Sequence, residues 1–100
     1  MSKAKFKEPL SNEELDYLAQ KFKLLGEPMR LRILQSICFE SKTVNEIVEA
    51  IGSTQANVSK HLSLLAIADI LDRKKVGKCV HYKLKDKLVV QLCNMVRESI

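Results

Sequence analysis

Between Thr43 and Leu65 the chain starts a helix twice, with a single glycine separating the two attempts. Thr43 stands three residues before Glu46, the spacing at which a hydroxyl and a carboxylate each satisfy a free backbone N–H at a helix start. Val44, Ile47, Val48 and Ile51 then recur at helical spacing, and Gly52 ends the run. Ser53 and Thr54 offer hydroxyls to cap a second helix, whose Val58, Leu62 and Leu65 follow at spacings of four and three. At about 100° per residue these three side chains point one way, and Ala56, Lys60 and Ser63 point nearly opposite. Asn57 and Ser59 fall on the flanks, and His61 sits on a shoulder roughly 60° from the apolar stripe. Two short helices across a glycine turn, the second polar on its outer side, predict a helix-turn-helix.

The remaining chain supplies what such a pair packs against. Residues 1–10 are lysine-rich, contain Pro9 and lack periodicity, so they are expected to form a flexible basic arm. Ser11 with Glu14 opens a first helix on Leu15, Leu18, Ala19, Phe22 and Leu25, closed by Gly26. Pro28 suits the first turn of a second helix, buried through Met29, Ile33, Leu34 and Ile37 and fading by about Glu40. After Asp69, two runs flank Val76-Gly77-Lys78, and the second alternates with Val80, Tyr82 and Leu84 on one face. This is the pattern of a β-hairpin. From Asp86 a last helix carries Leu88, Val89, Leu92, Cys93, Met95 and Val96, too apolar for one solvated surface. The expected fold is mainly α with a small β-hairpin: a winged helix-turn-helix of five helices plus the wing. Residues 11–100 form one domain, because a chain of 100 residues holds a single core. A second copy would cover the apolar surface of the first and last helices in an isologous interface.

The charge pattern points to an anionic partner. The formal net charge is +5, and seven of the 17 basic residues lie between Arg73 and Lys87. On the second helix of the pair, Thr54, Gln55, Asn57, Ser59, Lys60, His61 and Ser63 are the candidates for DNA contact. Short polar side chains there reach base edges or phosphates, and small ones let the backbone approach the groove floor. Arg73, Lys74, Lys75 and Lys78 crowd the hairpin, where they would meet the phosphate backbone as a wing. Each feature also has a plain structural reading. A polar helix face can simply be solvated, and lysines can blunt an exposed sheet edge.

Other classes find little support. Cys79 or Cys93 with His61 or His81 could be paired as nucleophile and base. No phosphate loop, paired-carboxylate site or serine triad accompanies them, so no enzyme and no cofactor is expected. Cys38, Cys79 and Cys93 are odd in number and widely spaced, which favours a reducing compartment over a disulfide framework. No apolar run approaches the roughly 20 residues that span a bilayer, and no signal core follows the basic start. A cytoplasmic protein with no membrane partner is expected. A winged-helix module that binds nucleic acid or protein without operator choice remains the alternative.

Three segments carry a family resemblance: Lys23–Leu34, reading KLLGEPMRLRIL; Gly52–Leu65, reading GSTQANVSKHLSLL; and Gly77–Leu84, reading GKCVHYKL. Together they resemble the ArsR/SmtB-type family of winged-helix repressors. The resemblance implies a homodimer built on the first and last helices, binding a palindromic operator in double-stranded DNA. It also implies repression relieved by an inducer, which the sequence leaves unknown. By position it makes Gln55, Asn57, Ser59 and Lys60 the readers of DNA, supported by Arg73 and the wing lysines. The family's metal sites do not carry over. Thiolate sensors place a Cys-x-Cys pair on the third helix, where this chain has TVNEIVE from Thr43 to Glu49. Zinc sensors use carboxylate and histidine ligands on the last helix, where Asp86 is present but Leu88 stands at the expected histidine. Cys79 and His81 share a strand face, but a closed zinc site takes four ligands. Some relatives sense oxidants or reactive sulfur through cysteines on the second and last helices. Carried over, Cys38 and Cys93 become a thiol sensor pair, at a spacing that departs from those relatives; the other reading makes both small buried hydrophobes.

Overall fold

A computed structural model describes residues 8–100. Five helices and one hairpin follow in the order α1 (Asn12–Leu25), α2 (Pro28–Ser36), α3 (Val44–Ile51), α4 (Gln55–Ile67), β1 (Leu71–Val76), β2 (Cys79–Leu84) and α5 (Lys87–Ser99). Most of the basic arm expected over residues 1–10 lies outside the described residues; residues 8–10 are exposed and belong to no helix or strand.

Each helix begins as its cap residues dictate. Both Ser11 with Glu14 and Thr43 with Glu46 form complete capping boxes. Gly52 closes α3 in the left-handed conformation at φ 68°, a backbone geometry that L side chains resist. α4 ends differently. Asp69 takes the left-handed position at φ 62°, and the Ile70 amide reaches back to the Leu65 carbonyl at 3.0 Å. That turn redirects the chain into β1.

α2 is shorter than its sequence pattern predicts, ending at Ser36 rather than near Glu40. The cause is tertiary. The Ile37 carbonyl accepts from the Leu84 amide at 3.1 Å, so it is spent on the hairpin instead of on another helical turn. Lys42 then pairs with Tyr82 through two backbone hydrogen bonds of 3.0 and 2.8 Å, extending the two-stranded sheet by one bridge. The base of the hairpin is thereby fixed to the segment between α2 and α3.

One core joins these elements. Ile33, Leu34 and Ile37 meet Ile47 of α3, then Val58, Leu62 and Leu65 of α4, then Ile70, Leu71 and Tyr82 of the hairpin. Full burial of such side chains stabilises by roughly 1.5–3 kcal/mol each. α1 leaves most of its apolar stripe outside this core. Of its predicted apolar stripe only Leu25 is buried, Leu18 is half-buried, and Leu15, Ala19 and Phe22 are exposed. The inward position falls instead to Lys21, 6% exposed, whose ammonium donates to the Asp86 carboxylate. Asp86 also caps α5, accepting from the amides of Leu88 and Val89 at 2.9 and 3.4 Å. α5 is thus tied to α1 by charge and to the core by the buried side chain of Val89.

Candidate nucleic-acid interface

α4 is held to the core by three side chains on one face: Val58, Leu62 and Leu65, each at most 1% exposed. Much of the rest of the helix faces outward. Thr54, Gln55, Ala56, Lys60 and Ser63 are exposed, and Asn57 and Ser59 are half-buried. The start of the helix is pre-arranged. Thr54 Oγ1 accepts from the Asn57 amide at 3.2 Å, and the Asn57 side-chain amide donates to Ser53 Oγ at 3.0 Å. Free backbone N–H groups at this N-terminus favour an anion.

His61 departs from the shoulder position expected of it. Its side chain is turned inward and the residue is 7% exposed. Nδ1 accepts a hydrogen bond from Arg30 Nε of α2 at 3.2 Å. Burial lowers the imidazole pKa, and the positive charges of Arg30 and Lys60 lower it further against the opposing influence of Glu27. His61 therefore supports the helix from behind. The sequence signal was its angle, which placed it closer to the apolar stripe than to the outer face.

The hairpin turns tightly at Gly77, φ 62°, with Val76 directly opposite Cys79. Glycine at the first central position is what a type II′ turn requires. Arg73, Lys74, Lys75 and Lys78 are all exposed, and among the described residues none of them forms an ion pair. They do not make one patch, however. Residues directly opposite across an antiparallel pair share a face, so Arg73 opposite Tyr82 and Lys75 opposite Val80 lie on one side. Lys74, opposite His81, lies on the other, and Lys78 sits in the turn. The Arg73 guanidinium lies 5.8 Å from the centre of the Tyr82 ring, a distance at which the ring face attracts the cation.

Among the described residues no group of three or more histidine, cysteine and carboxylate side chains comes together. Asp86, the carboxylate at the start of α5, is committed to Lys21 and to the cap of its own helix. Burial opposes its charge, but the Lys21 hydrogen bond and charge and the two amides hold its pKa below the usual carboxylate range. Cys38 falls two residues beyond α2 and is half-buried; Cys79 and Cys93 are exposed, and all three thiols are free.

A three-helix core that presents the second helix of a helix-turn-helix beside a basic hairpin defines the winged helix-turn-helix class of regulators. Comparison with known proteins agrees. The model of the bacterial regulatory protein arsR family matches residues 27–73. The chain is 32% identical over 94 residues to the arsenical resistance operon repressor of Bacillus subtilis, covering 88% of this chain and 90% of that protein. It is 35% identical over 82 residues to a probable mercury resistance operon repressor of Streptomyces lividans, covering 82% of this chain but only 66% of the relative. NolR from Sinorhizobium fredii superposes with a TM-score of 0.81 at 26% identity, over 91% of this chain and 94% of NolR. The homodimeric winged helix-turn-helix domain of Mb0332 from Mycobacterium bovis does so at 0.76 and 23% identity, over 92% and 88%. This chain belongs to the ArsR family of transcriptional regulators.

Proposed function

We propose that the chain is a cytoplasmic transcriptional repressor that binds a palindromic operator as a homodimer and acts by binding, without catalysis. The observation that carries this is the pairing of two unlike surfaces: a polar helix fixed by its buried face, and beside it a hairpin whose cations form no ion pair among the described residues. The first suits base edges, the second suits phosphates. Thr54, Gln55, Asn57, Ser59, Lys60 and Ser63 are assigned to the operator groove, and Arg73, Lys74, Lys75 and Lys78 to the backbone. Leu15, Tyr17, Phe22, Met95 and Val96 are large apolar side chains left 48–61% exposed on α1 and α5, which supports a dimer seam on those helices. No helix among the described residues is long and apolar enough to cross a membrane.

Selection of bound fragments from random DNA tests this directly. A recovered two-fold symmetric site, with half-site centres about 10 base pairs apart and affinity falling steeply with salt, is the expected result. Binding indifferent to both sequence and salt would return the chain to the alternative of a module without operator choice. The inducer is left unassigned. For a signal that reacts with the chain directly, we assign Cys38 and Cys93 as the sensing thiols, on the ground that thiol chemistry needs no assembled ligand set. DNA release by persulfide that persists unchanged in both Cys38→Ser and Cys93→Ser would discard that assignment.

A further inference from the structure

Arg30 joins three helices through one side chain. Its Nε donates to His61 Nδ1 at 3.2 Å on α4, and its Nη1 donates to the Leu24 carbonyl at 3.3 Å in the last turn of α1. Carbonyls in a last turn lack helical partners, so the second bond fills an empty place. The first constrains chemistry. Arginine has donors only, so the nitrogen facing it must present a lone pair. The neutral imidazole therefore carries its hydrogen on Nε2. The one place left for a second proton is the Nδ1 lone pair that Arg30 already occupies. Adding that proton breaks the bond and sets two cations against each other at a site where His61 is only 7% exposed.

We infer that Arg30 and His61 form a positioning contact for the reading helix, and that only neutral His61 holds the helix in its DNA-binding attitude. Lys60, assigned to the groove, immediately precedes His61 in sequence, so a tilt that relieves the Arg30–His61 clash moves the residues that meet bases. Affinity for a specific site consequently falls on acidification. The charged groups around the ring are Arg30 and Glu27 at the start of α2 and Lys60 on its own helix. Burial disfavours its protonation, as do Arg30 and Lys60 against the opposing influence of Glu27, so the change falls below the ordinary histidine range. The wing keeps its charges throughout, so binding to random DNA changes less.

This inference rests on the DNA-binding reading, and its test separates the two. A duplex recovered from random DNA by the wild-type protein is titrated by fluorescence anisotropy from pH 7.5 down to well below the ordinary histidine range. Circular dichroism at each pH confirms that the chain stays folded. Wild type should lose about tenfold or more in affinity, the scale of one buried hydrogen bond. His61→Asn puts an amide oxygen in the region of Nδ1 that accepts from Arg30 and does not titrate. It should bind near the wild-type level at pH 7.5 and lose the pH dependence. His61→Leu and Arg30→Met, folded by the same criterion, should bind the selected duplex about tenfold more weakly at pH 7.5 and random DNA almost normally. A pH profile in His61→Asn that matches wild type assigns the titration to another group and overturns the inference. Equal loss on selected and random duplex overturns it as well. Failure of the wild type to enrich any duplex would reject the DNA-binding reading itself, and this inference with it.

Discussion

The reading helix and the wing are neighbours with unequal anchoring. α4 is fixed by its back: three apolar side chains at most 1% exposed, plus the inward His61. The wing is fixed along one face, by Leu71 and Tyr82 in the core, by the half-buried Val80 and Leu84 packed against it, and by the backbone bridge to Lys42. Every residue of β1 beyond Leu71 is exposed. Base readout depends on angstrom-scale placement, and close packing supplies that placement. Phosphate contact depends on charge at moderate range, which tolerates a mobile support. Under the proposed assignment, the difference between the two regions matches the difference between what each is to recognise.

Stability should show the contrast most strongly. Leu65→Ala in the anchor of α4 should cost about 2–5 kcal/mol in chemical denaturation, because the close-packed site collapses only in part. Lys78→Ala at the wing turn should stay within about 0.5 kcal/mol of wild type. Similar values for the two would mean that the wing is as integral to the fold as the helix, and the comparison would break.

DNA binding should separate the two regions by the kind of loss. Lys60→Ala should lose about 1–3 kcal/mol on a selected operator and relax its sequence preference. Lys75→Ala should weaken selected and random duplex alike and reduce the salt slope by about one. A salt slope unchanged by Lys75→Ala would move that lysine off the phosphate backbone.

Gly77→Ala sharpens the comparison within the hairpin. The added Cβ meets nothing within 4 Å, so the penalty is purely conformational at φ 62°. About 1–3 kcal/mol is expected. Amide exchange should speed up along β1 and β2 and leave α4 unchanged. Faster exchange in α4 as well would show that the two regions open together.

α5 lies between the two cases, held by one buried valine and one ion pair, and its signature appears only in acid. With its folded pKa lowered, Asp86 contributes stability that is full above the ordinary carboxylate pKa. That contribution is lost as pH falls through the folded value. Wild type should therefore lose stability toward low pH more steeply than Asp86→Asn, and the two should run in parallel above the carboxylate range. Parallel curves throughout would mean that the Lys21–Asp86 pair does not contribute in solution.

Local signals carried most of this architecture. The capping boxes at Ser11 and Thr43, the left-handed glycines at 52 and 77 and the alternation of β2 are decided by neighbours within a few residues. A reader of sequence meets the same physics as the chain does. The periodicity of α4 likewise separated its buried stripe from the outer residues assigned to DNA. Where expectations failed, a distant partner decided the outcome. Ile37 ends α2 because Leu84 takes its carbonyl. Lys21 turns inward because Asp86 waits at the start of α5. His61 leaves the shoulder because Arg30 offers it a donor. The wing cations, adjacent in sequence, are divided between two faces by the pleat of the strand. The sequence by itself determined the element types, their ends where caps are local, and the class of fold. Only the tertiary structure decided which polar groups face inward, because a buried charge or imidazole is stable only opposite a partner, and such partners lie far along the chain.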